Sequence, residues 1–342
     1  MMFDELNLNK PLLNALGDLG YTTPTTIQER VFSVAMSGRD VCGIAQTGTG
    51  KTIAYVLPCL RLFQFSTSRI PQLLIIVPTR ELVVQVVETV RSLTTYMNVL
   101  TVGVYGGVNL KPQAAEVQQG ADVLVATPGR LLDLVASNAL RLSDVEILVL
   151  DEADKMLDLG FADEMNRVFD LLPPRRQTIL FSATLGDAIE DINKNLLRNP
   201  VTINVAEDDA EHLELIRQTA YRVDAERKGP LLRYLIKTAQ MQQVLVFVSS
   251  VRTADNVAVK LAKNGIRAAS IHSKKTQGAR TDALAQFKAG KLPVLVATDL
   301  MSRGIDIQFL PHVINFELPR SPKDYIHRIG RTGRAEASGE AI

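Results

Sequence analysis

A glycine-rich segment near the start of the chain has the residue types that bind phosphate. Residues 45–52 read Ala-Gln-Thr-Gly-Thr-Gly-Lys-Thr, between an apolar run and a helix-forming stretch. Glycines let the backbone approach an anion, and the N–H groups of the turn and of the helix start face it. Lys51 adds a mobile cation, and the Thr52 hydroxyl can be a ligand of Mg²⁺. The predicted nucleotide-binding residues are Gln46, Thr47, Gly48, Thr49, Gly50, Lys51 and Thr52, with Ala45 where the general pattern has glycine.

Two adjacent carboxylates, Asp151 and Glu152, follow another apolar run at 147–150. A carboxylate that ends a buried strand opposite a phosphate loop can hold Mg²⁺, often through water. A second carboxylate beside it can orient and deprotonate an attacking water. We therefore assign the metal role to Asp151 and the base role to Glu152. Helix capping is the alternative for such acidic residues, and their pairing with Lys51 favours catalysis.

The first half of the chain alternates short apolar runs with amphipathic stretches, which predicts strands and helices in turn. The predicted strands are 41–45, 73–77, 99–105, 122–126, 147–150, 177–181 and 201–205, with helices that include 52–63, 81–96, 111–119, 130–136 and 187–197. Strands rich in Val, Ile and Leu that alternate with helices form a parallel sheet covered on both faces. Ligands of such a sheet collect at the carboxyl ends of its strands.

The same alternation restarts after the acidic run at 207–211. The predicted strands are 216–223, 244–248, 267–271, 293–297 and 312–316, and the predicted helices are 228–238, 251–264, 277–289 and 322–329. We therefore expect an α/β protein with a domain at 1–206, a linker at 207–214 and a domain at 215–342. Because the chain stops where a last strand starts, at 339–342, we expect the second domain to be truncated at its C-terminal end.

Charge and cysteine usage narrow the class of protein. The net charge of +1 divides into −5 for residues 1–206 and +6 for residues 207–342, which puts most of the basic capacity in the second half; ordinary solvated faces are the alternative. Cys42 and Cys59 lie in apolar surroundings and predict buried thiols of a reduced, cytoplasmic protein. The sequence has no signal-peptide pattern and no run long enough to span a bilayer, so we expect no membrane partner.

Together with the phosphate loop, the string Asp151-Glu152-Ala153-Asp154 resembles the DEAD-box ATP-dependent RNA helicases of superfamily 2. The resemblance implies two tandem RecA-like domains, each a mostly parallel sheet with helices on both faces. It also implies ATP and Mg²⁺ as cofactors and RNA as partner, and Ala45 matches the way this family writes the loop. Residues 20–28 resemble the family's Q motif, which implies that Gln28 reads the adenine edge, with Phe3 and Tyr21 as further nucleotide-binding residues and Phe3 stacked on the base.

Three further segments of the first domain each follow a predicted strand. They offer hydroxyls, N–H groups or an arginine, which suit a sugar–phosphate backbone and read no base identity; ordinary turn and capping chemistry is the alternative for any one of them. The resemblance implies RNA contacts for Pro78, Thr79, Arg80, Gly106, Gly107, Thr127, Pro128, Gly129 and Arg130. It implies that Ser182 and Thr184 couple the carboxylate site to domain closure.

The second domain carries the rest of the family's motifs. The resemblance implies RNA contacts for Gln277, Arg280 and Thr298, and catalytic roles for His327, Arg331 and Arg334. It also implies that Gly304 and Asp306 bind the nucleotide, with Asp306 holding the ATP ribose. Because Arg331 and Arg334 are three residues apart, both guanidiniums can reach one γ-phosphate as arginine fingers do. Arg328, with His327, would link back to the carboxylates of the first domain. A plain basic surface is the alternative for this run.

The division of parts predicts how the protein works. With the phosphate loop and carboxylates in one domain and the arginines in the other, ATP hydrolysis needs both, and RNA lying across both should stimulate it. Closure would separate a short RNA duplex locally, largely without sequence preference. The alternatives are an RNA clamp or annealing factor that does not unwind and, less favoured, a superfamily 2 DNA translocase. We also expect a monomer, ribosomal or degradosome-type assemblies as partners, and closest similarity, through residues 271–280, to the bacterial RhlE-like branch.

Overall fold

The computed structural model describes residues 2–45, 49–64, 70–184, 186–205, 216–299, 310–332 and 339–342. The chain divides into two compact units, residues 1–206 and residues 207–342. The predicted linker at 207–214 lies outside the described residues.

Among the described residues of the first unit, seven strands form one sheet in the order β3-β4-β2-β5-β6-β1-β7, and each pairing is parallel. The strands are β1 Val41–Ile44, β2 Leu73–Ile76, β3 Thr101–Val104, β4 Val123–Ala126, β5 Ile147–Leu150, β6 Gln177–Ser182 and β7 Val201–Asn204. The interior strands β2 and β4 are buried along their whole length, as expected for apolar strands with helices on both faces.

Helices cover both faces of this sheet. They are α1 Lys10–Asp18, α2 Thr26–Met36, α3 Lys51–Leu62, α4 Arg80–Leu93, α5 Leu110–Gln119, α6 Pro128–Ala136, α7 Ala153–Asp158, α8 Ala162–Asp170 and α9 Asp187–Leu196, after a short 3₁₀ turn at Phe3–Glu5. One core cluster joins Tyr55 of α3 and Val83 of α4 to Phe181 of β6. Another joins Leu131 of α6 and Met156 of α7 to the opposite face.

In the part of the second unit that the structure describes, the sheet order is β10-β11-β9-β12-β13-β8, again with parallel pairings. The strands are β8 Ile216–Gln218, β9 Val244–Val248, β10 Ala268–Ile271, β11 Val294–Thr298, β12 His312–Asn315 and β13 Gly339–Ala341. The helices are α10 Lys228–Thr238, α11 Val251–Lys263, α12 Gln277–Lys288 and α13 Pro322–Ile329, with a 3₁₀ turn at Ala225–Arg227. Apolar clusters pack on both faces of this sheet as well.

The predicted fold class is confirmed: each unit is an α/β layer structure built on a parallel sheet. The predicted strand at 216–223 is too long, because β8 lies at the sheet edge and pairs with the three residues of β13. The sequence prediction did not name α1, α2, α7 or α8. Cys42 and Cys59 are buried free thiols, as predicted, and burial raises the pKa of Cys59. No helix in the described ranges is both long and apolar enough to cross a membrane.

Candidate active site

The strand order of the first unit separates two groups of polar residues along the carboxyl edge of its sheet. The neighbouring strands β5, β6 and β1 lead into Asp151, Ser182 and the loop before Lys51. The neighbouring strands β3, β4 and β2 lead into the segments that begin at 105, 127 and 77. The first group has the chemistry for a phosphate and a metal, and the second has donors that suit a nucleic-acid backbone.

The phosphate loop ends at Gly50, which caps α3 with a positive φ of 87°. The backbone conformation favours glycine, and a Cβ atom at this position would lie 2.4 Å from Nε2 of Gln28, so a side chain here would displace the Gln28 amide. Lys51 is the first residue of α3 and is buried, and its Nζ donates to the carbonyl of Ala45 at 3.1 Å. The lysine ammonium therefore lies within the loop, where an anion would meet it. Gln46, Thr47 and Gly48 lie outside the described residues.

The predicted adenine-reading segment is tied directly to this loop. Gln28 accepts from the backbone N–H of Thr25 at 2.9 Å, and its Nε2 donates to the carbonyl of Gly50 at 3.2 Å. The Thr25 hydroxyl donates to the carbonyl of Thr49 at 3.0 Å. These bonds give Gln28 a structural role in holding α2 against the loop. Its contact with adenine stays a prediction.

The two aromatic residues predicted near the base differ in exposure. Phe3 is 3% exposed and belongs to the apolar core, with its backbone N–H 3.5 Å from the carbonyl of Thr22. Tyr21 is exposed. Because Phe3 is buried, its ring would have to leave this core to stack on a base. Base stacking by Phe3 therefore stays a prediction.

Asp151 is buried at the end of β5, directly after Leu150. Its Oδ2 accepts a hydrogen bond from the Tyr55 hydroxyl at 3.0 Å. Its Oδ1 is buried and has no hydrogen-bond partner among the described residues. Burial raises the pKa of Asp151, the nearby Lys51 ammonium opposes that rise, and the neighbouring Glu152 carboxylate adds to it. Tyr55 is not among the site residues that the sequence predicts.

Glu152 has an unusual backbone and a buried ion pair. Its φ of 55° lies in the left-handed region, which costs a non-glycine residue about 1 kcal/mol and is common at functional sites. Its Oε1 lies 2.6 Å from Nζ of Lys155, one turn further along α7. Lys155 was also not named by the sequence analysis, although spacing i, i+3 on a helix predicts such a contact.

The predicted coupling residues contact the same acidic string. The Thr184 hydroxyl donates to Oδ2 of Asp154 at 3.3 Å, and the Ser182 hydroxyl donates to the carbonyl of Thr184 at 2.8 Å. Asp154 also accepts from the backbone N–H of Lys155 through Oδ1 at 3.0 Å. The end of β6 is therefore linked by hydrogen bonds to the helix that follows Asp151.

The predicted RNA-binding segments of the first unit converge on the loop after β3. The Arg80 guanidinium packs so closely on Gly107 that a Cβ atom there would lie 2.7 Å from it. Arg130 is buried and donates to Oε1 of Gln113 at 2.6 Å and to the carbonyl of Val108 at 2.7 Å. Arg130 therefore positions this loop, and its predicted contact with RNA stays a prediction.

The remaining residues of these segments lie at strand ends and helix starts. Thr79 caps α4 by accepting from the backbone N–H of Leu82 at 3.3 Å. Thr127 is buried at the N-cap position of α6, where its side chain makes no capping hydrogen bond, and Pro128 is the first residue of that helix. Pro78, Gly106 and Gly129 lie in the same three segments. Capping and turn chemistry accounts for much of this geometry, so contacts with RNA stay predictions for this group as well.

In the second unit, Gln277 and Arg280 lie together on the first turn of α12. The Arg280 guanidinium is buried and donates to the side-chain carbonyl of Gln277. Thr298 is buried at the end of the neighbouring strand β11. Asp255 on α11 holds the loop before α12, because its Oδ1 accepts hydrogen bonds from the side chains of Ser270, His272 and Lys275. These three bonds lower the pKa of Asp255.

Arg328 lies in a buried network of the second unit. Its guanidinium pairs with both oxygens of Asp299, at 2.5 and 2.7 Å, and donates to Asn315 and to the carbonyl of Glu317. It also lies over the ring of Phe247, 5.0 Å from the centroid. This network gives Arg328 a structural role, and the predicted link to the carboxylates of the other unit stays a prediction.

The segment predicted to carry the catalytic arginines is described in part. Arg331 is buried, and its carbonyl accepts from the backbone N–H of Leu310 at 3.0 Å. His327 lies on α13, one residue before Arg328. The predicted residues Gly304, Asp306 and Arg334 lie outside the described residues.

A buried lysine after a glycine-rich turn and a carboxylate pair directly after strand β5 define a RecA-like nucleotide-binding unit, followed here by a second parallel α/β unit. Similarity to known protein families supports this class. The family model described as DEAD/DEAH box helicase matches residues 25–192, and the model described as helicase conserved C-terminal domain matches residues 227–336. The chain belongs to the DEAD-box ATP-dependent RNA helicases.

Individual relatives support this membership. ATP-dependent RNA helicase SrmB of Escherichia coli is 42% identical over 345 residues, which cover 99% of this chain and 78% of that protein. CshA of Streptococcus pneumoniae is 42% identical and DEAD-box ATP-dependent RNA helicase 30 of Arabidopsis thaliana is 39% identical. The chain spans 63% and 58% of the length of these two relatives.

Solved structures show the same fold. Dbp5 of S. cerevisiae, bound to RNA and ADP BeF3, is 31% identical with a TM-score of 0.88, and the match covers 99% of this chain and 88% of that one. A DEAD box protein from Methanococcus jannaschii is 35% identical with a TM-score of 0.60, over 100% of this chain and 92% of that one. The expected RhlE-like branch within the family stays a prediction.

Proposed function

We propose that this protein is an ATP-dependent RNA helicase, in which RNA-stimulated ATP hydrolysis drives the local separation of short RNA duplexes. The observation that carries the proposal is that Lys51 and Glu152 both lie near enough to the buried Asp151 carboxylate to shift its pKa. Thr184 is hydrogen-bonded to Asp154 of the same acidic string. Family membership supports the proposal, as does the RNA and ADP BeF3 bound by the related Dbp5.

The residues of the first unit fit a magnesium ion brought in with ATP. Oδ1 of Asp151 is buried and lacks a hydrogen-bond partner among the described residues. Such an oxygen could bind a metal ion or a water held by that ion. In the described ranges, no group of three or more acidic, histidine or cysteine side chains is arranged so that it could hold a metal ion by itself. Thr52 and Asp151 would hold the ion, with phosphate oxygens and water as the other ligands. Bound magnesium would neutralise phosphate charge during transfer.

The chain's own residues would then divide the remaining work. Lys51 would bind a phosphate oxygen, and Glu152 would accept the proton of the attacking water. Lys155 holds one oxygen of that carboxylate at 2.6 Å, so the base keeps a fixed direction. Arg331 and Arg334 would stabilise the charge that develops on the γ-phosphate. Because these arginines belong to the second unit, hydrolysis would require both units.

Contacts to RNA would come from segments 78–80, 106–107 and 127–130 of the first unit and from Gln277, Arg280 and Thr298 of the second. Their donors suit phosphate and sugar rather than base edges, so binding should be largely independent of sequence and weaken with salt. We also propose a cytoplasmic monomer. Ribosomal or degradosome-type assemblies are proposed as the settings in which such an enzyme meets RNA.

The test is the rate of ATP hydrolysis at saturating ATP with and without single-stranded RNA. We expect RNA to raise the rate, and single-stranded DNA of the same sequence to raise it much less. Equal rates with and without RNA would contradict the proposal. A strand-displacement assay on a short RNA duplex then separates an unwinding enzyme from a clamp or annealing factor, and stronger stimulation by DNA would indicate a DNA translocase.

A further inference from the structure

Tyr55 places a phenol hydroxyl against the predicted metal-binding carboxylate. It lies on α3 one turn after Lys51, so the two side chains share a face of the helix. Its hydroxyl donates to Oδ2 of Asp151 at 3.0 Å, and the residue is 0% exposed.

The position of this hydroxyl is fixed by packing on the sheet. The ring of Tyr55 lies 5.6 Å from the ring of Phe181, measured between centroids. Phe181 on β6 pairs with Gly43 on β1, and a Cβ atom at Gly43 would lie 2.5 Å from the Phe181 ring. The missing side chain of Gly43 therefore makes room for Phe181, and Phe181 in turn packs on Tyr55. A side chain held in this way directs its hydroxyl to one place.

The hydrogen bond leaves the two oxygens of Asp151 in different states. Oδ2 is occupied by Tyr55, whereas Oδ1 is buried without a hydrogen-bond partner among the described residues. A buried carboxylate oxygen without a partner is unfavourable, so its persistence indicates a place for a ligand or a water.

We propose that Tyr55 is a positioning residue of the nucleotide site, whose buried hydroxyl fixes the Asp151 carboxylate so that Oδ1 faces the magnesium ion and its water. This inference rests on the proposed function, because it takes Asp151 as the metal-binding carboxylate. Hydrogen bonds from neighbours orient metal-binding side chains, and their removal typically lowers metal affinity 10- to 100-fold. Tyr55 acts here through Asp151 and does not itself touch the ion.

The test replaces Tyr55→Phe, which removes the hydroxyl and keeps the ring. ADP binding is measured by calorimetry in EDTA and at increasing concentrations of Mg²⁺. In the unchanged protein, Mg²⁺ should increase the affinity for ADP. In Tyr55→Phe, we expect the Mg²⁺ concentration that gives half of this increase to be about tenfold higher. The affinity for ADP in EDTA should be unchanged. The matched control is Tyr96→Phe, which removes an equivalent Tyr–Asp hydrogen bond, to Asp18 at 2.5 Å, from a 50% exposed side chain. The control should bind as the unchanged protein does.

The outcomes separate this inference from the proposed function. If the unchanged protein shows no Mg²⁺-dependent ADP binding, the proposed function is wrong, and the inference about Tyr55 is then wrong as well. If it shows that dependence and Tyr55→Phe leaves it unaltered, the inference alone is wrong. An equal loss of ADP affinity with and without Mg²⁺ would also overturn it, because that result indicates packing only. The thermal unfolding midpoint of each variant, measured in parallel, verifies that the compared proteins are folded.

Discussion

The Nζ of Lys155 lies 2.6 Å from Oε1 of Glu152, and the two side chains are only 4% and 7% exposed. A carboxylate at this depth needs a partner, because desolvation of a lone charge is costly. The pair also spans the point where the backbone of Glu152 takes a left-handed conformation before α7. The ion pair therefore serves both the fold of this turn and the direction of the proposed base.

Changing Glu152→Gln should stop turnover and spare binding. Glutamine keeps a side-chain oxygen for Lys155 but cannot take a proton from water, so we expect hydrolysis to fall at least about 100-fold. Fluorescent ADP binding, RNA binding and single-turnover hydrolysis measure the separate effects. Loss of nucleotide binding in a folded Glu152→Gln protein would show that the assignment of the base is wrong.

Changing Lys155→Met should destabilise the first unit, because it leaves the Glu152 carboxylate without its buried partner. Removal of one member of a buried ion pair costs about 3–5 kcal/mol of unfolding free energy, and urea denaturation measures it. The matched control is Lys194→Met, which removes the exposed pair between Lys194 and Glu190 at 3.8 Å. An exposed pair contributes at most about 1 kcal/mol. Equal losses in the two variants would contradict the structural role of Lys155.

Changing Gly50→Ala should weaken both the phosphate loop and its stability. The alanine Cβ would meet Nε2 of Gln28 at a backbone with φ of 87°, so the bond from Gln28 to the loop must break or the loop must shift. We expect a loss of about 1–3 kcal/mol and weaker ADP binding.

The control for Gly50→Ala is Gly17→Ala, in the helix α1. A Cβ atom at Gly17 meets nothing within 4 Å. Alanine in a helix is favoured over glycine by about 0.5–1 kcal/mol, so this variant should be slightly more stable with ADP binding unchanged. Calorimetry for ADP and urea denaturation for stability test both variants. Undiminished ADP affinity in Gly50→Ala would contradict the close fit between Gln28 and the loop.

Much of the fold could be predicted from the sequence because its strands are short, apolar and separated by amphipathic helices. The predicted run at 147–150 coincides with β5, and 244–248 coincides with β9. Helix α7 was not predicted, because six residues are too few to show helical periodicity. The length of β8 depends on pairing with β13, more than a hundred residues away, which local sequence does not reveal.

The candidate site could be predicted in part for a related reason. Motif spacing pointed to Lys51, Asp151 and Glu152, because the carboxyl ends of parallel strands share one edge of a sheet. The residues that support them were missed. Tyr55 and Lys155 carry a weak local signal in their helical spacing from Lys51 and Glu152. Gln113 carries none, since its partner Arg130 lies on another helix and tertiary packing alone brings the two together.

The Asp255 carboxylate should make the stability of the second unit depend on pH. Hydrogen bonds from Ser270, His272 and Lys275 lower its pKa below the unfolded value of about 3.9. Because the pKa is lower in the folded protein, the charged carboxylate stabilises the fold above about pH 4. This stabilisation is lost as the pH falls toward the pKa of the folded state. Changing Asp255→Asn should therefore lower the unfolding free energy near pH 7 by about 1 kcal/mol, a modest value because this carboxylate is partly exposed.

The difference in unfolding free energy between the unchanged protein and Asp255→Asn should become smaller as the pH falls from about 5 to 3. Urea denaturation at each pH measures this difference. The control is Asp282→Asn, which removes the same charge from an exposed position of α12. Its effect should stay within about 0.5 kcal/mol at every pH. Because Asp255 holds the loop that precedes Gln277 and Arg280, RNA affinity at pH 7 should fall in Asp255→Asn and not in the control. A difference that persists unchanged at low pH would contradict a role for the Asp255 charge.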